Sequence, residues 1–336
     1  MLCTRGGVVE SRHRIHLAVT DSRGRLVFSA GDPALVTFFR SAAKPFQLLP
    51  LVDSGAVEAL GLTPLHLAVA AGSHSAEARH LETVQDFLRR AGCTEADLEC
   101  GPHEPMDPAA ARALSRRETA PAPIHNNCSG KHAAMLTLAR HRGWPLAGYR
   151  RPDHPVQEAM LQEVARWTGR SPNSIRLGGD GCGVVTFALP LQAMAQAYSA
   201  LGRAAHRGEG AARQVVGAMM DEPFQVAGTG RLCTLLMETA PGKVFVKVGA
   251  EGVYGAGIPS EGLGIVLKVE DGGRRAAEPA LLRVLEHLGV PGLGHSPLLQ
   301  PFRAPVVRDT LGDEVGRLEV EMPPIPLRDR EGVQGG

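Results

Sequence analysis

Strand-like alternation of polar and apolar residues is confined to the two ends of this 336-residue chain, and helical spacing fills the middle. Residues 14–20 and 25–28 alternate, with Asp21-Ser-Arg-Gly24 between them, the pattern of an antiparallel hairpin. Alternation returns at 243–249 and 264–270, turns at Asp271-Gly-Gly273, and resumes briefly at 317–321. Helical patterns occupy 41–51, 75–91, 109–117, 129–142, 155–168, 191–206 and 211–220, with one more at 275–288. Ser75 is placed to cap the second of these, and Gly143 and Gly169 to end two others. Terminal strands without partners of their own must pair with one another. The expected architecture is therefore α/β of the α+β type. One antiparallel sheet is drawn from about 5–31 and 243–322, beside a helical region at about 41–220. A single domain over 1–330 is implied, with the ligand cleft between sheet and helices. Only the last few residues look unstructured.

Composition narrows the function. A net charge of +1 and 4% aromatic residues supply neither a basic groove nor stacking platforms, so no nucleic-acid partner is expected. No apolar run is long enough for a membrane span or follows a positive patch as a secretory signal would, so no membrane partner is expected either. The six cysteines are sparse and read as reduced thiols, which places the chain in the cytoplasm with a small-molecule substrate. Among 36 basic residues only five are lysine: Lys44, Lys131, Lys243, Lys247 and Lys268. Arginine holds its proton, whereas a buried lysine amine can become a base. Each lysine kept in so arginine-rich a chain is a candidate for chemistry.

Four motifs combine residues that packing alone does not require. In Arg40-Ser-Ala-Ala-Lys-Pro-Phe46, helical spacing puts Ser41 and Lys44 on one face, where a neutral amine could activate the hydroxyl. A capping serine followed by a solvated lysine would look the same. Ala71-Gly-Ser-His-Ser-Ala-Glu77 reads as a turn into a helix that frees Ser73 to face a cleft, or as a plain capping box. Lys247-Val-Gly249 ends an alternating strand, as a substrate-steering element beside an active serine or as an edge-strand lysine. Finally, Asn126-Asn-Cys-Ser-Gly-Lys-His132 opens a helix and Gly178-Gly-Asp-Gly-Cys-Gly183 forms a Gly-rich turn. Cys128 at the helix N-terminus is expected to have a lowered pKa. Cys128, Cys182, His132 and Asp180 could gather a zinc ion or could be structural thiols and their neighbours.

Jointly these motifs resemble the L-asparaginase II family of the inducible rhizobial type. The likeness runs from Val9-Glu-Ser11 through Gly31-Asp-Pro33 and Arg40-Ser-Ala-Ala-Lys-Pro-Phe-Gln47 to Ala71-Gly-Ser-His-Ser75. It continues through His125-Asn-Asn-Cys-Ser-Gly-Lys-His132, Asp153-His-Pro155, Gly179-Asp-Gly-Cys-Gly183, Lys247-Val-Gly-Ala-Glu-Gly252 and Leu267-Lys-Val-Glu-Asp-Gly272. The resemblance implies a serine β-lactamase/glutaminase-like fold, a homodimer, and hydrolysis of L-asparagine to aspartate and ammonia. It makes Ser41 the nucleophile beside Lys44, pairs Ser73 with Lys247, and makes Cys128, Lys131 and Cys182 the ligands of one zinc per chain. It puts His132 and Asp180 beside the metal or substrate, and Arg40 becomes a candidate for the substrate carboxylate. Cys233 matches a third family cysteine near the pocket. Arg12-His-Arg-Ile15 departs from the pattern, on the hairpin, where a detail of fold is expected. A related glutaminase or β-lactam hydrolase, a zinc hydrolase and a non-catalytic amino-acid-binding protein are the competing readings.

Overall fold

The computed structural model describes residues 1–324, so the last residues expected to be unstructured, and the 325–330 end of the expected domain, lie outside it. The strands are β1 (Leu2–Arg5), β2 (Val8–Arg12), β3 (Ile15–Asp21), β4 (Leu26–Ala30), β5 (Val36–Phe38), β6 (Arg176–Gly179), β7 (Val185–Pro190), β8 (Phe245–Gly249), β9 (Val253–Ile258), β10 (Leu263–Val269), β11 (Val306–Arg308) and β12 (Glu314–Glu319). The central antiparallel sheet has the order β4-β3-β10-β9-β8. Its middle seam joins the two ends of the chain, Leu17 opposite Leu267 and Val19 opposite Ile265. β10 is buried at every position and β3 at all but its first, so both faces of the sheet are covered. Helices Leu191–His206 and Arg274–His287 pack on it. The β3–β4 turn closes because the Asp21 carboxylate accepts from the Arg23 and Arg25 N–H groups.

The expected helices at 129–142, 155–168 and 191–206 form as Ser129–Arg142, Pro155–Thr168 and Leu191–His206, and Gly143 and Gly169 end two of them at positive φ. Elsewhere the structure differs from expectation. Residues 2–12 and 306–319 leave the central sheet and build a separate one, β11-β12-β1-β2. A third sheet, β5-β7-β6, interrupts the helical region. Ser75 does not cap a helix. The helix starts at Ala78 behind Glu77, and the Ser75 hydroxyl donates to the Ala227 carbonyl. Among the described residues, no helix is long and apolar enough to cross a membrane.

Two glycines let the elements close on one another. A Cβ on Gly130, in the first turn of Ser129–Arg142, would lie 2.5 Å from the Val69 carbonyl oxygen, so this helix sits directly on helix Pro64–Ala71. A Cβ on Gly249 would lie 3.2 Å from the Phe39 carbonyl oxygen, so the end of edge strand β8 abuts the turn that carries Ser41. The Ser73 loop, the Cys128 helix start and Lys247 thereby meet at one point.

Candidate active site

Ser73 follows helix Pro64–Ala71, and its hydroxyl is held between two lysines. Lys44 Nζ lies 3.0 Å and Lys247 Nζ 2.8 Å from Ser73 Oγ. All three side chains are buried, the lysines completely. Lys44 also donates to the carbonyls of Gly72 and, at 3.5 Å, Asn127, whereas Lys247 donates only to the Val248 carbonyl. Burial, followed by the Lys44 charge, holds Lys247 well below the ordinary lysine range. Burial also lowers Lys44, the Cys128 thiol opposing it and the Lys131 charge adding to it. Two ammonium groups on one oxygen in a dry site repel, so the cluster holds fewer protons than two free lysines. With three acceptors Lys44 is the better proton holder, and Ser73 is then placed to donate to neutral Lys247. Four of the five lysines are buried, three of them in this site. Lys268 is structural, donating to the Glu251 carbonyl, and Lys243 is exposed.

Ser41 lies one turn before the Lys44 helix, in the short 3-10 helix Arg40–Ala43. It is partly exposed, and Lys44 Nζ is hydrogen-bonded to Ser73 rather than to it. Helical spacing thus brings Ser41 and Lys44 into one turn but not into a hydrogen bond. Arg40 has φ 52°, Ala76 58° and Glu251 58°, three of the four non-glycine residues with positive φ among those described. They flank Ser41, Ser73 and Lys247 respectively, and such strain collects where surrounding structure dictates the backbone.

Arg40 Nε donates to Asp180 Oδ1 at 2.8 Å, joining the Ser41 turn to the β6–β7 hairpin. Burial would raise the Asp180 pKa, but the Lys131 and Arg40 charges outweigh it and hold the carboxylate ionised. Beside it, Lys131 Nζ lies 3.2 Å from Cys182 Sγ. The Cys128 thiol hydrogen-bonds to Cys182 and, with burial, its own pKa is pushed up to about 12. Cys182 drops to about 5 because Cys128 donates to it, with Lys131 adding to the effect against burial. Burial lowers Lys131, but the charge of the Cys182 thiolate, with the neighbouring Cys128 sulfur, outweighs it and raises that amine. The thiolate therefore sits on Cys182, not on the helix-terminal Cys128 as expected. The Cys128 thiol also has an oxygen acceptor, Asn127 Oδ1 at 3.0 Å.

Among the described residues, no group of three or more His, Cys, Asp or Glu side chains is placed to hold a metal. His132 does not join the thiols. Its Nδ1 meets the Tyr149 hydroxyl at 2.6 Å, burial and the Lys131 charge lower it to about 3, and Nε2 is buried without a partner. What converges instead is two sulfurs and the Lys131 amine, all buried. Soft sulfur with one nitrogen donor is a set that fits zinc. Cys233 is buried beside this region, and its thiol is raised by burial and opposed by the Lys247 charge.

Sequence reasoning missed several neighbours. His74 Nδ1 accepts from the Ala76 N–H, so its Nε2–H donates to Ser129 Oγ and ties the Ser73 loop to the Cys128 helix. Arg231 Nη1 donates to the Ser73 carbonyl at 3.4 Å and to Ser75 Oγ at 3.2 Å. Met106 contacts both Arg231 and Asn127 through its sulfur. The spacing of these residues carries no signal. A groove of about 1020 Å³ lies elsewhere, between helix Arg274–His287 and β12, and none of these site residues lines it.

The family model for L-asparaginase II matches residues 1–320. A search of curated proteins finds no match. Among the solved structures this chain resembles, three show low identity. Mglu is 16% identical over 88% of this chain and 72% of its own, with a TM-score of 0.39. A β-lactamase from Mycobacterium bovis is 13% identical over 81% and 93%, with a TM-score of 0.34. The simvastatin synthase LovD from Aspergillus terreus is 9% identical over 76% and 86%, with a TM-score of 0.33. Likeness that low carries no argument about chemistry.

Proposed function

The chain belongs to the L-asparaginase II family, and from that premise we propose that it hydrolyses the side-chain amide of L-asparagine through a serine ester. The observation that carries this reading is the Ser73 hydroxyl held between two buried lysines, of which Lys44 lies one turn of chain from Ser41. A site whose lysines and Ser73 are this buried suits a substrate the size of an amino acid better than a bulky β-lactam.

In the proposed reaction the shared proton moves through Ser73 toward Lys247, leaving Lys44 neutral. Lys44 takes the Ser41 proton as Ser41 Oγ attacks the amide carbon, and the C=O becomes an oxyanion. Ser73 passes its proton to the amide nitrogen and is reprotonated by Lys44, the C–N bond breaks and ammonia leaves, with Lys44 neutral again. Water, deprotonated by Lys44, then cleaves the β-aspartyl ester and returns the proton to Ser41. Asp180, oriented by Arg40, and the free Nε2 of His132 are the proposed substrate contacts. Cys128, Lys131 and Cys182 would hold a zinc ion, which supplies positive charge that orients the substrate. Lys131 must lose its proton to bind it. Six unpaired thiols support a cytoplasmic setting, and a homodimer is the proposed assembly, to be checked by light scattering.

Ammonia release from L-asparagine and L-glutamine tests the reading. Preference for asparagine by roughly tenfold or more is expected, since one methylene is worth about 1–3 kcal/mol. Equal or greater release from glutamine would make the chain a glutaminase. Release from neither would leave the amino-acid-binding alternative.

A further inference from the structure

We infer that Arg231 is a specificity-determining residue of this site, the cation that receives the α-carboxylate of an amino-acid substrate. The inference rests on the proposed amidohydrolase reading for its chemistry but on separate atoms for its geometry. Arg231 precedes helix Leu232–Thr239, and only its Nη1 is engaged, by the Ser73 carbonyl at 3.4 Å and Ser75 Oγ at 3.2 Å, with Met106 Sδ at 3.8 Å. Nε and Nη2 donate to nothing among the described residues, and no carboxylate forms an ion pair with this guanidinium there. Arg40, the other arginine at the site, has its charge balanced by Asp180 at 2.8 Å.

A guanidinium without a carboxylate partner, held against the backbone of Ser73, is an unsatisfied fork, and a carboxylate matches that fork with two parallel hydrogen bonds. Its charge reaches the centre of the cluster, where it is one of the influences that lower Lys247. An asparagine whose amide lies at Ser41 and Ser73 carries its α-carboxylate only a few bonds away. Arg231 is partly exposed, as a residue at the mouth of the site must be to meet an entering anion. Selection would then act on the carboxylate: the α-amide of the same amino acid would leave Arg231 unpaired.

The test is calorimetric titration of the full-length protein with L-aspartate and with its α-carboxamide, beside ammonia release from L-asparagine. The wild type should bind L-aspartate at least tenfold more tightly than the carboxamide. Arg231→Gln should weaken L-aspartate about thirtyfold, the range of a charge-assisted hydrogen-bonded contact, and leave the carboxamide unchanged. Arg231→Lys should recover part of the loss. No wild-type preference between the ligands overturns the inference without any variant, as does failure to bind L-aspartate. Equal weakening of both ligands overturns it in favour of a purely structural role. Arg231-dependent binding without ammonia release would remove the amidohydrolase reading and leave the carboxylate site standing.

Discussion

A lysine amine withdrawn from water prefers to be neutral, and at Lys247 that preference is reinforced by Lys44 across a single hydroxyl. Catalysis needs such an amine in its unprotonated form. kcat/KM should therefore fall as pH drops through a value below the ordinary lysine range, and a pH–rate profile checks this. The same shift bears on stability. Between the lowered folded value and the unfolded one, the unfolded chain binds a proton that the native site refuses, so stability rises with pH across that window. Lys247→Met should remove that slope, raise stability near neutral pH by about 1–2 kcal/mol, and lower turnover by roughly a hundredfold or more. Denaturation and ammonia release measured on one preparation check both. A variant that is less stable and still active would place Lys247 outside the mechanism.

Elements meet here at glycines, and the sequence makes that only partly legible. Helices with clear periodicity and glycine stops, such as Ser129–Arg142 and Pro155–Thr168, stand at their expected bounds. Helix Pro64–Ala71 does not announce itself, because Leu-His-Leu-Ala-Val-Ala-Ala is apolar all round and has no polar face to set a period. Strand β9 is absent from the expected strands, since Val-Tyr-Gly-Ala-Gly-Ile carries two glycines and no clear alternation. Gly255 is there because a Cβ would enter the Tyr198 ring. The site residues on local motifs were readable: Ser41 and Lys44, Ser73, Lys247, and the Cys128–Lys131 pair. The convergence of Ser73 on Lys44 was not, because it depends on a close approach that no spacing encodes. Gly130→Ala tests that approach. Its Cβ would press on the Val69 carbonyl, cost about 1–3 kcal/mol in denaturant unfolding, and slow turnover by shifting the Cys128 helix against the Ser73 loop.

For the whole molecule, the sheet whose antiparallel seam joins β3 to β10 brings Lys247, on β8, to the turn that carries Ser41 and Lys44, while the middle of the chain supplies Cys128 and Cys182. The proposed zinc ligands and the serine–lysine cluster are thus neighbours built from different segments. Purified protein loaded with zinc should hold about one ion per chain, and Cys182→Ser should lose it, as elemental analysis would report. Stripping the metal should raise KM more than it lowers kcat, and loss of kcat alone would transfer the chemistry to a metal-bound water. Beneath these arrangements lies the claim that Ser41 forms the ester. Rapid quench of turnover with the β-hydroxamate of L-aspartate, followed by peptide mapping, tests it most directly. A β-aspartyl adduct on Ser41, lost in Ser41→Ala together with ammonia release, is the expected result. An adduct on Ser73, or substantial turnover by Ser41→Ala, would contradict it.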